Sequence, residues 1–167
     1  MKEKLKRFIQ CLVYLLLPII GGGGVGVFSS CADQEGEWYD TPFVRISTET
    51  GQASTVVLSD VRNVNTYYVY LSSTPLSEEL TVSYEVVVGD GLQSGIDYEL
   101  VTEGTTLSFL PGFYDAPIRV RWLPHRVDPT KNNTLTIRLT GNSRGFHLGY
   151  PGPGQLQRQL TIEKKNN

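Results

Sequence analysis

The chain has few of the residue types and motifs that carry catalysis. Its 167 residues include two cysteines and two histidines, His125 and His147, and both histidines fall in predicted loops. No phosphate-binding P-loop and no His-x-x-x-His pair occurs. We therefore expect a protein that is not an enzyme, and we assign no catalytic residue and no cofactor. Two carboxylates facing each other in a cleft would reopen the enzymatic alternative, since sequence spacing in a β-protein cannot show such a pair.

Cysteine and basic residues are also too scarce for other classes of protein. Residues 1–30 hold four basic residues and one acidic residue, and their removal leaves 11 basic and 16 acidic residues, a net charge of −5. Because clustered basic charge is what neutralises nucleic-acid phosphates, we expect no nucleic-acid partner. One cysteine would remain, which excludes an intramolecular disulfide and a cysteine-based metal site.

The first thirty residues have the pattern of an export signal that ends at Cys31. Basic residues in 2–7 precede an apolar segment over 8–20, and a glycine-rich segment follows over 21–26. The apolar segment is short for a membrane-spanning helix, which needs about 20 apolar residues. We predict that residues 1–30 are a cleaved lipoprotein signal peptide and that the Cys31 thiol receives diacylglycerol. Phe28 stands where such signals commonly have Leu, and simple secretion or an uncleaved anchor are the alternatives.

An acidic tether is predicted over residues 31–41. Asp33, Glu35 and Glu37 lie directly after Cys31, in a stretch without apolar periodicity. The stretch resembles the acidic signal that sends lipoproteins of Bacteroidota to the outer face of the outer membrane. The resemblance implies a lipid-anchored protein of the outer membrane, displayed at the cell surface. An ordinary solubilising linker is the alternative.

Residues 42–164 are predicted to form one all-β domain, followed by a polar tail over 165–167. Apolar and polar residues alternate over 65–72, 80–88, 117–123 and 134–139, and Leu160 and Ile162 mark a last strand. Shorter candidate strands lie at 43–46, 56–58 and 106–109. Turn residues separate these segments, and no long stretch has helical periodicity. Seven to eight such strands predict an immunoglobulin-like antiparallel β-sandwich, with a closed barrel as the alternative.

The alternation predicts two roles for aromatic residues. Trp122 and Tyr84 fall on inward positions and are expected in the core. If Tyr67 faces inward, Tyr68 and Tyr70 face outward and could be displayed. Displayed aromatic rings bind sugars and proteins well, although the preference of tyrosine for strands also explains these two residues.

Residues 80–139 resemble a Calx-beta domain, an immunoglobulin-like sandwich found in the regulatory regions of calcium exchangers and in bacterial surface proteins. The resemblance is carried, in chain order, by the segments 82–84, 95–98 (Gly-Ile-Asp-Tyr), 107–112 (ending in Pro-Gly), 118–120 and 135–139. The predicted lipoprotein signal that ends at Cys31 (the lipobox), which precedes residues 80–139, and the segment 148–153, which follows them, also resemble those of single-domain lipoproteins of Bacteroidota.

The Calx-beta resemblance implies a possible calcium site built from loop carboxylates. The acidic residues in or beside predicted loops are Asp90, Asp97, Glu99, Asp115 and Asp128. Calcium needs six to eight oxygen ligands, but the segment 127–133, where calcium-binding members are rich in acids, holds one acid and one base. Asp97 could instead have a structural role as a turn cap, because an Asp beside Gly95 can accept hydrogen bonds from backbone N–H groups in a turn. We therefore assign no metal ligand.

These observations predict a non-catalytic cell-envelope lipoprotein that acts as a binding or assembly module. Its partners are the membrane, through the lipid, and a glycan or protein ligand. A structural accessory subunit of an outer-membrane complex and a calcium-stabilised adhesion module are the alternatives.

Overall fold

A computed structural model describes residues 41–167, which form ten β-strands. The predicted signal peptide, Cys31 and the acidic residues Asp33, Glu35 and Glu37 lie outside the described residues. The strands are β1 (Phe43–Thr48), β2 (Ser54–Leu58), β3 (Asn63–Ser72), β4 (Leu80–Val88), β5 (Tyr98–Leu100), β6 (Thr106–Phe109), β7 (Asp115–Trp122), β8 (Thr134–Asn142), β9 (His147–Leu148) and β10 (Gln159–Lys165). Within residues 41–167 no helix is long and apolar enough to cross a bilayer.

The strands form two five-stranded sheets. The front sheet has the order β5-β7-β3-β1-β9, and the back sheet has the order β2-β10-β8-β4-β6. Each sheet has two edges of its own, so the domain is a sandwich and not a closed barrel. The predicted all-β, immunoglobulin-like sandwich is confirmed.

Strict alternation of side chains positions the two sheets against each other. In β7 every second residue from Ala116 to Trp122 is buried, while Arg119 and Arg121 face solvent. β3 pairs antiparallel with β7, and its Tyr67 lies opposite Ile118. Because successive side chains of a strand point to opposite faces, one apolar set per strand is enough to build the core.

Pro117 lies inside β7, an interior strand, where a missing N–H could break a sheet. β5 pairs with β7 only at Val120, Arg121 and Trp122. At Pro117 only the β3 side of the strand is paired, opposite Tyr68. Proline is tolerated where one side of the strand has no neighbour.

Two strands and two parallel pairings were not predicted. β5 and β9 have three and two residues, too few to show an alternating pattern. β9 pairs parallel to β1, and β2 pairs parallel to β10. The chain passes from the front sheet to the back sheet between β1 and β2, and β2 then pairs parallel to β10. The sandwich is therefore mainly but not wholly antiparallel.

The core lies between the sheets and contains both predicted aromatic residues, Trp122 and Tyr84. Trp122 is completely buried, and its ring lies 6.3 Å from that of Tyr98. The Tyr84 hydroxyl donates to the carbonyl of Gly104 at 3.0 Å, which supplies the partner that a buried tyrosine hydroxyl needs. The largest other apolar side chains with no more than 2% exposure are Tyr67, Phe109, Ile46, Leu80, Ile118, Leu135, Ile137, Leu139, Leu160 and Ile162.

The sandwich has two ends, which we call the entry end and the exit end. At the entry end β1 begins at Phe43, beside the end of β3, and β7 begins at Asp115. At the exit end β7 finishes at Trp122 and β10 finishes at Lys165. β10 thus continues one residue into the segment predicted as a tail, and the Asn166 side chain bonds both the N–H and the carbonyl of Val127.

Candidate functional site

The outer face of the front sheet carries Tyr68 and Tyr70. Tyr67 is 2% exposed, so the alternation turns its two neighbours away from the core, as the sequence predicted. Both rings are half-buried on the outer face. Their centroids lie 5.9 Å apart with the ring planes tilted by 33°. The two tyrosines therefore form one continuous aromatic surface along β3.

Arg45 completes this surface from the neighbouring strand. It lies opposite Tyr70 in the register of β1 and β3, and its guanidinium carbon is 4.5 Å from the Tyr70 ring centroid. The same guanidinium is 5.5 Å from the ring of Tyr150. A cation over an aromatic face is attracted by the ring quadrupole. Arg45 also donates to Gln157 Oε1 at 2.7 Å and Ser47 Oγ at 3.1 Å, so the side chain is held in place.

The loop 149–158 brings Tyr150 onto this face. Its first residue, Gly149, has φ +81° and donates to the carbonyl of Val44 at 2.7 Å. A Cβ at Gly149 would overlap the carbonyl oxygen of Gln155. Gln157, with φ +60°, accepts a bond from the Ile46 N–H at 2.8 Å. A left-handed backbone conformation at a residue other than glycine is energetically costly. Here it directs the Gln157 side chain toward Arg45.

We call the set Arg45, Tyr68, Tyr70 and Tyr150 the aromatic face. Two strands, β1 and β3, and the loop 149–158 hold these residues, so the rings lose little conformational freedom when they contact a ligand. Aromatic rings with few rotatable bonds are the side chains that dominate protein and sugar contacts. Sequence analysis found the two β3 tyrosines and missed Arg45 and Tyr150. The available signal was the alternation of β1, which puts Arg45 on the outer face.

A second cluster lies at the exit end, around Asp97. The carboxylate is almost completely buried, and the Lys164 ammonium, also buried, donates to Asp97 Oδ1 at 2.8 Å. The ammonium also donates to the carbonyls of Leu123 at 2.9 Å and of Asp97 itself at 3.3 Å. Three oxygen partners satisfy the three ammonium donors. Sequence analysis missed Lys164, although the alternation of Leu160 and Ile162 continues inward to it.

Two further groups complete the surroundings of Asp97. The Gln93 N–H donates to Oδ2 at 2.9 Å, so the predicted turn-capping role is confirmed. His125 Nδ1 lies 2.9 Å from Oδ1, with its side chain 53% exposed. Burial raises the pKa of Asp97, but the hydrogen bonds from Lys164, His125 and Gln93 outweigh it and hold the pKa below its ordinary value. Asp97 is therefore an ionised structural anchor.

The five carboxylates considered for calcium do not converge. Asp97 binds Lys164. Glu99, which lies in β5 and not in a loop, pairs with Arg121 at 2.6 Å. Asp90 accepts the Asn132 N–H and Asp128 accepts the Thr130 N–H, both at 2.9 Å, while Asp115 begins β7 at the entry end. Over residues 41–167 no group of three or more His, Cys, Asp or Glu side chains could hold a metal ion.

The segment 141–145 has the Gly-x-Ser-x-Gly spacing of a nucleophile motif, which the sequence analysis passed over. Such a serine needs a sharp strand-to-helix turn and a nearby histidine. Here Ser143 follows β8 in a turn that leads to β9, and its Oγ accepts the Thr81 N–H at 3.1 Å. No histidine of the described residues is hydrogen-bonded to it. His147 lies in β9 and not in a loop, while His125 is at the exit end.

Comparison with solved structures gives a Calx-beta match. The crystal structure of CBD12 from CALX1.2 superposes with a TM-score of 0.53 at 21% sequence identity. The match covers 74% of this chain and 44% of that chain, so this chain spans less than half the length of the matched protein. No protein-family model matches the chain, and no curated protein matches it. The similarity establishes a Calx-beta, immunoglobulin-like fold.

Proposed function

We propose that the protein is a non-catalytic binding module of the cell envelope and that the aromatic face contacts its ligand. The observation that carries the proposal is Arg45, stacked against Tyr70 and Tyr150 on an outer sheet face. The back sheet has no comparable aromatic group in the described residues, since its outer face carries threonines, aliphatic residues such as Val87, and paired charges such as Arg138 with Glu85 at 3.1 Å. The Calx-beta fold of the domain is compatible with this role.

A glycan is the ligand that the aromatic face suits best. Sugar rings stack on aromatic side chains through their C–H faces, and their hydroxyls need fixed polar partners nearby. The tyrosine hydroxyls, Arg45 and Gln157 provide such groups beside the rings. A protein ligand would use the same rings as anchors.

The position of the module is part of the proposal. The lipobox ending at Cys31 supports an acyl anchor, and the acidic residues that follow support display on the outer face of the outer membrane. An anchored module of this kind would hold its ligand at the cell surface.

Binding to a panel of immobilised glycans tests the aromatic face. We expect Tyr70→Ala to weaken retention of the bound glycans by about tenfold or more, as truncation of a central aromatic contact does. Val87→Ala, on the outer face of the back sheet, is the matched control and should bind like the unaltered chain. Equal retention of the unaltered chain and Tyr70→Ala would contradict the proposal.

Display and anchoring need separate measurements. Added protease should degrade the domain on intact cells, and mass spectrometry should find Cys31 as the acylated first residue. Protection of the domain until the outer membrane is opened would place the protein on the inner side and contradict surface display.

A further inference from the structure

An exposed apolar turn projects from the entry end of the sandwich. Leu110, Phe113 and Tyr114 connect β6 to β7 and are 55%, 63% and 38% exposed. The Phe113 N–H donates to the carbonyl of Leu110 at 3.0 Å, and Gly112 has φ +87°. Pro111 before a glycine of positive φ makes this a type II turn. The apolar side chains are thus presented by a defined backbone and not by a loose loop.

The turn lies beside the point where the chain enters the domain. The Leu71 N–H donates to the carbonyl of Tyr114 at 2.8 Å, and Leu71 pairs with Val44 at the start of β1. Cys31 precedes Thr41 by ten residues, which reach at most about 33–36 Å when fully extended. A lipid on Cys31 would therefore hold Thr41 within that distance of the bilayer surface, with the turn at the same end of the domain.

The composition of the turn suits a lipid interface. Residues 109–114 read Phe-Leu-Pro-Gly-Phe-Tyr and carry no charge. Large exposed apolar side chains grouped together mark an interaction surface. Phenylalanine, leucine and tyrosine favour the boundary between headgroups and acyl chains, where an apolar segment lies about 5–10 Å deep.

We propose that the turn 110–114 inserts into the interface of the membrane that holds the anchor. This inference rests on the proposed acylation of Cys31. Insertion would give the domain a second contact with the bilayer, so the tether would no longer set its orientation alone. The exit end, with Asp97 and Lys164, would then point away from the membrane.

Fluorescence quenching by brominated lipid tests the insertion. The acylated full-length chain carrying Trp38→Phe and Phe113→Trp is placed in phosphatidylcholine nanodiscs with and without brominated acyl chains. The matched control carries Trp38→Phe and Val64→Trp, because Val64 is 48% exposed and lies seven residues, about 23 Å, from Leu71 along β3. Trp122 is buried in both variants and gives the same background.

We expect brominated lipid to reduce the emission of the Phe113→Trp variant and to leave the Val64→Trp variant unchanged. Equal emission in the two lipids for the Phe113→Trp variant, or equal quenching of both variants, would overturn the proposal. An unchanged unfolding midpoint shows that each variant is folded. Mass spectrometry of the same samples separates a missing acyl chain, which removes the anchor and this inference with it, from an anchored protein whose turn stays in water.

Discussion

Arg45 and Lys164 are both cationic residues on strands, and the domain uses them in opposite ways. Arg45 is half-buried on the outer face of the front sheet, with the ring centroids of Tyr70 and Tyr150 4.5 and 5.5 Å from its guanidinium carbon. Lys164 is completely buried at the exit end, where all three of its hydrogen bonds go to protein oxygens. Arg45 leaves part of the aromatic face accessible from outside the domain. The Lys164 ammonium has no hydrogen-bond donor left for another partner, so it stabilises the fold.

The largest effect is expected from removing the buried ammonium. Lys164→Met leaves the Asp97 carboxylate buried without its main partner, and the free energy of unfolding should fall by about 3–5 kcal/mol. Urea unfolding monitored by Trp122 fluorescence measures the loss.

Lys165→Met is the matched control for that substitution. Lys165 is adjacent in β10, exposed, and paired with Glu163 at 3.1 Å, a surface pair worth about 0–1 kcal/mol. Similar losses for the two variants would contradict the structural role of Lys164. Adding Asp97→Asn to Lys164→Met should restore part of the stability, because no buried charge then remains.

The next largest effect is expected at Gly149, which orders the loop of the aromatic face. Gly149→Ala places a side chain at φ +81° against the Gln155 carbonyl, and we expect a loss of about 1–3 kcal/mol together with weaker glycan retention. Gly154→Ala in the same loop is the control, since its Cβ would meet Leu156 at an ordinary 3.8 Å. A Gly149→Ala variant as stable as the control would show that the loop is not braced at that residue.

A smaller loss of stability is expected on acidification. The pKa of Asp97 in the folded state lies below its ordinary value of 3.8. A carboxylate of this kind contributes stability that is fully present above the unfolded pKa and is lost as the pH falls through the folded pKa. The free energy of unfolding should therefore decrease below about pH 4.

Urea unfolding at a series of acidic pH values measures this dependence. The double variant Asp97→Asn with Lys164→Met keeps the other acidic residues and should show a shallower decrease. Identical slopes for the unaltered chain and the double variant would assign the acid sensitivity to other carboxylates.

The smallest effect is expected from the stacked arginine itself. Tyr70→Leu keeps an apolar side chain opposite Arg45 but removes the ring face, and the free energy of unfolding should fall by about 0.5–1 kcal/mol. Tyr68→Leu is the control, because no cation lies over the Tyr68 ring in the described residues. A large destabilisation by Tyr70→Leu would give the aromatic face a structural role and weaken the binding proposal.

The sequence predicted the parts of the fold that depend on period-two alternation. β3, β4, β7, β8 and β10 were found because each buries every second residue over several positions. β5 and β9 were missed because two or three residues carry no period, and their pairing depends on partners distant in the chain.

The site was predictable only where it shares that alternation. The outward direction of Tyr68 and Tyr70 follows from the inward direction of Tyr67. The approach of Tyr150 to Arg45 depends on a loop with left-handed backbone at Gly149 and Gln157, which propensities do not indicate. The ion pair of Asp97 and Lys164 joins residues 67 positions apart, and no local pattern connects them.

The edges of the front sheet have a consequence for the self-association of the domain. β5 offers three residues and β9 offers two, and the part of β7 that β5 leaves uncovered contains Pro117, which has no N–H to donate. Long open edges are templates for intermolecular strand addition. Over residues 41–167 the front sheet therefore offers no long edge for strand addition by a second copy of the domain.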